Sequence, residues 1–350
     1  MSETTVVGSE AIQQRKIDHL KIALSDIVQV GDAGFGQYRL LHNALPEIDF
    51  DSIDMSTTFL GKKVNYPFFI SCMTGGVGQG RKINRNLAKA AQKYGIAMGV
   101  GSQRAAIQYP ELEDLFMARE VAPDIPLLAN VGIVQLNYGF DVAEYQQIVD
   151  MIAADALVVH INPLQEIVQP EGDRDWSGLL PKLAKVVEKL SVPVIGKEVG
   201  FGLSDDVARR LHEVGVKIWD TAGWGGTNWS LVEGLRGKAD QHIGELFSEW
   251  GIPTTESIKM CRGVADELGD GEVVILGSGG VKSGVDVAKG IALGADLVGL
   301  ATPFGRAAVE SSEAVEALIE RLGLELRIGM FGVGAGNIEA LRQARFLGIG

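Results

Sequence analysis

Eight short clusters of glycine, polar and titratable residues follow apolar runs in this sequence. They are Met73–Gly76 (MTGG), Gly101–Arg104 (GSQR), Asn130, His160–Glu166 (HINPLQE), Lys197–Gly200 (KEVG), Gly223–Trp229 (GWGGTNW), Gly277–Gly280 (GSGG) and Ala301-Thr302. Gly279 and Gly280, with a helix-like stretch after them, and Ala301-Thr302 offer bare backbone N–H groups and helix N-termini. Those donors cradle a phosphate dianion. Gly225-Gly226-Thr227 can add donors to the same group; the competing reading of all these glycines is a tight turn that needs their φ angles.

Lys197 ends a strand, where a lysine is costly to bury without an anion beside it. Three roles fit: a Schiff-base amine, a partner for a bound cofactor ring, or the ion-pair partner of Glu198. His160 and Asn162 share one face of a strand, with Gln165 and Glu166 in the loop beyond. One carboxylate among His, Asn and Gln is too sparse for a protein-only metal cage. It suits Mg²⁺, which takes one or two carboxylates and fills its shell with phosphate oxygens and water; a capped loop with a solvated Glu166 is the alternative. Ser102 and Arg104 sit at a strand end, where an arginine grips an anion. Arg15-Lys16 with His19 reads, on residue types alone, as a solvated helix face. Cys72 has no evident base beside it and reads as a small buried residue.

Elements that position these clusters are legible as alternating patterns. Apolar runs predict strands over Pro67–Cys72, Ile96–Val100, Pro126–Asn130, Ala156–Ile161, Val192–Lys197, Val216–Asp220, Val273–Leu276 and Asp296–Leu300, each short and rich in Val, Ile or Leu, as strands buried on both faces are. Helical patterns lie between them, as at Asn84–Tyr94, Glu144–Ala153, Gly178–Leu190, Ser204–Val214 and Ser283–Leu293, with Ser204 and Ser283 placed as N-caps. Eight strand–helix units predict a TIM (β/α)₈ barrel over residues 67–350, and in that fold reactive groups collect at the C-terminal strand ends. Residues 1–66 are expected to form an extension of helix and loops packed on the barrel. The long gap between Asp220 and Val273 predicts an insertion after strand six.

Composition excludes several classes. A formal charge of −13 disfavours nonspecific nucleic-acid binding and requires any anionic substrate to meet a local cationic pocket. No 18-residue uncharged apolar stretch occurs, so no membrane partner is expected. Met1–Glu10 lacks the pattern of a secretion signal, and the only cysteines, Cys72 and Cys261, build no disulfide framework; the expected location is cytoplasmic.

The motifs resemble the type 2 isopentenyl diphosphate isomerases, FMN-dependent enzymes that interconvert isopentenyl and dimethylallyl diphosphate. The resemblance spans the whole chain, from Arg15-Lys16-Ile17-Asp18-His19 through His42–Pro46 (HNALP), Met73–Gly76 and HINPLQE to Trp250–Thr254 (WGIPT) and Gly279-Gly280. It implies that Arg15, Lys16, His19, Ser102, Gln103, Arg104, His160, Asn162 and Gln165 bind the prenyl diphosphate, that Gln165 lies at the reacting carbons, and that Glu166 holds Mg²⁺. FMN contacts are implied at Met73, Thr74, Ser102, Asn130, Lys197, Thr227, Gly279, Gly280, Lys282, Ala301 and Thr302. NADPH is implied only as the flavin reductant, and assembly as a homo-oligomer, a tetramer or octamer. Lys282 stands where many relatives are expected to carry Arg, and Trp224 is also atypical. Two competing readings are an FMN-dependent oxidoreductase, which requires a late His base that this sequence lacks, and a non-catalytic flavin-binding barrel. IMP-dehydrogenase-like chemistry is disfavoured because Gly223–Trp229 holds no cysteine.

Overall fold

A computed structural model describes residues 17–73, 78–237 and 240–348. Eight parallel strands close into a barrel: β3 (Phe68–Ile70), β4 (Met98–Gly99), β5 (Leu127–Gly132), β6 (Ala156–Ile161), β7 (Val194–Glu198), β8 (Ile218–Asp220), β9 (Val274–Ser278) and β10 (Leu297–Leu300), with β10 pairing back onto β3. The expected (β/α)₈ barrel is thus the observed fold.

Alternation along the strands sorts the core into two shells. Outward residues such as Phe68, Ile70, Leu157, Val159 and Trp219 pack beneath the helices. Inward residues Phe69, Leu128, Val158, Ile195, Ile218 and Leu276 fill the barrel. Because side chains alternate with period two, the next inward residues are Ser71, Asn130, His160, Lys197, Asp220 and Ser278. A dry apolar layer therefore carries a polar layer directly above it, and the site begins there.

The floor of the barrel was not foreseen as a hairpin. β1 (Thr57–Phe59) and β2 (Lys62–Val64) pair antiparallel, and Phe59 and Val64 join the inner apolar cluster. Their two-residue turn has Leu60 at φ 51° and Gly61 at φ 73°, the two positive angles that match strand twist in short hairpins. Leucine is uncommon in that conformation, so Leu60-Gly61 gave no turn signal.

Elsewhere the pre-barrel segment reaches the opposite end. Residues 17–23 form a helix, and the Val30 N–H donates to the Gly226 carbonyl. The insertion after β8 contains the helices Trp229–Leu235 and Gln241–Leu246, ahead of the barrel helix Thr254–Leu268. Ser204 and Ser283 cap their helices as expected, each accepting the backbone N–H three residues on. Among the described residues no helix is long and apolar enough to cross a membrane.

Candidate active site

A cavity of about 690 Å³ opens at the C-terminal ends of the strands, within the range of cofactor and substrate pockets. Its base is the polar layer. His160 Nδ1 lies 2.9 Å from Asn130 Oδ1. Removal from bulk water, reinforced by the positive charges of Arg104 and Lys197, pushes the His160 pKa down to about 3. The ring is therefore neutral at physiological pH: its Nδ1–H donates to Asn130 and Nε2 is left as an acceptor.

Lys197 Nζ lies 3.0 Å from Asp220 Oδ2. Of the three roles open to Lys197, the ion pair with Glu198 does not form, because adjacent strand residues face opposite ways. Glu198 instead caps the following turn, its Oε2 accepting the N–H groups of Val199, Gly200, Phe201 and Gly202. Among the described residues, Asp220 and Ser278 complete the Lys197 cluster, with Ser278 Oγ donating to Asp220 Oδ1 at 2.5 Å.

One wall is built from the loop after β6. Proline at the first position of the short helix Pro163–Val168 and Asn162 before it turn the chain so that Gln165 and Glu166 face inward. Asn162 Nδ2 donates to Gln165 Oε1 at 3.1 Å and to Glu166 Oε1 at 3.0 Å. Gln165 Nε2 donates to Glu233 Oε1 at 2.9 Å. Glu233 is fully buried, with His19 Nε2 at 2.9 Å and Arg236 Nη1 at 2.5 Å. Burial pushes its pKa up, but His19, Gln165 and Arg236 more than offset this and hold Glu233 below the usual carboxylate value. It is an anion. Beside Glu166, whose Oε2 accepts the Asp173 N–H at 2.9 Å, Arg104 Nη1 lies 3.2 Å from Asp173 Oδ2, which also accepts from Gln135 Nε2 at 2.8 Å.

The far end is a cradle of backbone. Gly279 has φ 108° and Gly280 φ 64°; a Cβ on either would lie 2.2 Å from the carbonyl oxygen of Gly223 or Gly225. Only glycine lets these two turns touch. Beside them the helix Thr302–Glu310 starts without a side-chain cap, so its first N–H groups remain free to donate. Thr302 Oγ1 lies 2.8 Å from Thr227 Oγ1, and Gln29 Nε2 donates to Thr227 Oγ1 at 3.0 Å. Lys282 lines the rim. Uncapped amides, paired hydroxyls and a lysine suit a phosphate monoester.

Comparison with known proteins places this architecture. The FMN-dependent dehydrogenase family model matches residues 15–114 and 253–347. Isopentenyl-diphosphate delta-isomerase from Nostoc sp. is 47% identical over 348 residues, covering 98% of each chain. The enzyme of that name from Rickettsia bellii is 49% identical over 334 residues, covering 95% of this chain and 96% of its own. The chain belongs to the FMN-dependent isopentenyl-diphosphate delta-isomerases. A solved mandelate oxidase with benzoyl-formic acid matches 97% of both chains with a TM-score of 0.66 at 16% identity; that likeness is one of fold.

The isomerase cavity gathers most residues singled out in the sequence: His19, Met73, Ser102, Arg104, Asn130, His160, Asn162, Gln165, Glu166, Lys197, Thr227, Gly279, Gly280, Lys282, Ala301 and Thr302 all line it. Arg15, Lys16 and Thr74 lie outside the described residues. Gln103 is placed differently. It is wholly buried, its Nε2 donating to the Ile148 carbonyl and its Oε1 accepting the Asn130 N–H at 3.1 Å. That geometry makes Gln103 a brace for Asn130, and Gln103 is not among the residues lining the cavity.

Glu233, Asp220, Asp173 and Gln29 were not singled out. Asp220 had a signal, being the last inward residue of its strand. Glu233 and Gln29 meet Gln165 and Thr227 through pairings distant in sequence, and Asp173 meets Arg104 in the same way while its N–H also donates to the nearby Glu166.

Proposed function

We propose that this isomerase interconverts isopentenyl and dimethylallyl diphosphate in a cavity that also holds FMN. The observation that carries the reading is the chain His19–Glu233–Gln165–Asn162, which aims a fixed amide into a cavity whose far end is a phosphate cradle. FMN fits that cavity: the glycine cradle takes one terminal phosphate, and Lys197 sits where the ring's polar edge would lie. When bound and reduced, FMN supplies an electron-rich ring and an exchangeable N5 proton.

The chain's own residues then bind, orient and hold protons. The ionised Glu233 accepts one Gln165 amide hydrogen, and the second Nε2 hydrogen remains available at the reacting carbons. Arg104 keeps donors beyond the one facing Asp173 for the diphosphate, and Arg15 and Lys16 add charge to the same group. Protonation of the isopentenyl double bond develops a tertiary cation two bonds from the carbon that carries the diphosphate, and loss of the neighbouring proton gives the allylic product; the cations hold the diphosphate in place while the proton moves.

Divalent metal is a compatible further ligand. The described residues contain no group of three or more His, Cys, Asp or Glu side chains able to cage an ion. Asn162 Oδ1, however, is a buried acceptor without a hydrogen-bond partner among them, and Glu166 Oε1 is bonded to the same side chain. Glu166 with Asn162 suits Mg²⁺ that draws its other ligands from diphosphate and water. NADPH is assigned the role of reducing the flavin. A homo-oligomer is the assembly this reading expects.

A 2-hydroxy-acid oxidase reading lacks its base. His160 has a pKa of about 3, too low to abstract a proton effectively near neutrality, and no histidine follows β9. The test is anaerobic incubation with isopentenyl diphosphate, FMN, Mg²⁺ and NADPH, followed by product analysis. Dimethylallyl diphosphate is the expected product; its absence, with hydroxy acids oxidised instead, overturns the reading.

A further inference from the structure

We propose that Asp220 is a positioning residue that sets the charge Lys197 presents to the flavin ring, and thereby the relative affinity of the site for oxidised and reduced FMN. The inference rests on the reading of Lys197 as the residue beside the isoalloxazine. Asp220 is not among the residues lining the cavity, whereas Lys197 and Ser278 are.

The geometry is that of a built cluster. Barrel register sets Lys197 of β7 directly opposite Asp220 of β8. Both Asp220 oxygens are engaged, Oδ2 with Lys197 Nζ at 3.0 Å and Oδ1 with Ser278 Oγ at 2.5 Å. Asp220 is 2% exposed and the Lys197 side chain 8% exposed. Coulomb interactions at such a place are far less screened than in water.

An ammonium alone would strongly favour the electron-rich reduced flavin. Paired with Asp220 it offers the ring a nearly neutral dipole and keeps a fixed position. Among the described residues His160 and Cys72 also lie beside this pair; His160 is neutral and burial pushes the Cys72 thiol up to about 11, so neither replaces either charge. The pair therefore holds FMN reducible without trapping it in the reduced form.

Asp220→Asn keeps the shape and the Ser278 contact while removing the charge. In the FMN-loaded enzyme, the ratio of reduced to oxidised FMN affinity should rise by about tenfold or more, read as an upward shift of the flavin midpoint potential. Lys197→Met should shift the midpoint downward, and the double variant should return it toward wild type. Asp220→Glu, which retains the charge, should stay near wild type even where turnover falls. If Asp220→Asn weakens both redox states equally and leaves the midpoint unmoved, Asp220 is only structural and the proposal is overturned. If Lys197→Met leaves the midpoint unmoved with FMN bound, the placement of Lys197 fails and the proposal fails with it.

Discussion

Glu233→Gln is expected to lower kcat by about two to four orders of magnitude, the usual loss when a positioned proton-handling group is disabled, while FMN affinity stays within about threefold. The carboxylate is the link between His19 and the Gln165 amide, at 2.9 Å from each. Glutamine fills the same volume but cannot accept from both neighbours as an anion. Truncation to alanine would be a poorer test, because it also empties buried volume and removes the oxygens that face Gln165 and Arg236, although Arg236 keeps Glu171 as a partner at 2.8 Å. Steady-state kinetics under reducing conditions, with a fluorescence titration of FMN, separates the effects. Unchanged kcat would remove Glu233 from the chemistry, and a loss of FMN in place of turnover would move it to the cofactor site.

Gly279→Ala should weaken FMN binding by about a hundredfold or more while the barrel still folds. The new Cβ would meet the Gly223 carbonyl oxygen at 2.2 Å and the Gly223 nitrogen at 2.6 Å, at a backbone φ of 108° that L side chains rarely adopt. Strain of this kind is worth about 1–3 kcal/mol before the clash is counted, and about 3 kcal/mol is a hundredfold in affinity. Relief requires the turn to open, which spoils the cradle. Gly271, beside which an added Cβ meets nothing within 4 Å, is the matched control, and its alanine variant should bind FMN as wild type does. Equal FMN affinity in the Gly279 variant would mean that the phosphate lies elsewhere.

Much of this arrangement can be read from the residues, for a physical reason. A parallel barrel buries both faces of each strand, so its strands stand out as short apolar runs. The first inward polar residue on each, such as Asn130, His160 and Lys197, then marks the base of the site. The same alternation also separates Lys197 from Glu198, and attention to it points to Asp220 as the true partner. Other parts depend on the folded chain. Glu233 reaches Gln165 across 68 positions, and Gln29 reaches Thr227 across 198; no local pattern announces either pairing. Gln103 is a polar residue at a strand end whose side chain bonds the Ile148 carbonyl and the Asn130 N–H, partners that residue type alone does not reveal. The hairpin that floors the barrel was hidden because Leu60 occupies a conformation usually left to Asn or Gly.

The central claim is a redox-neutral double-bond shift that needs reduced flavin and does not consume it. It is tested most directly by counting product per flavin under strict anaerobiosis. The enzyme is loaded with FMN, reduced once with stoichiometric dithionite in the absence of nicotinamide, and given isopentenyl diphosphate with Mg²⁺. Oxidised enzyme should be essentially inactive, and the reduced enzyme should form many equivalents of dimethylallyl diphosphate per flavin with the flavin still reduced at the end. A yield that stops near one equivalent per flavin, with the flavin reoxidised, would contradict the account.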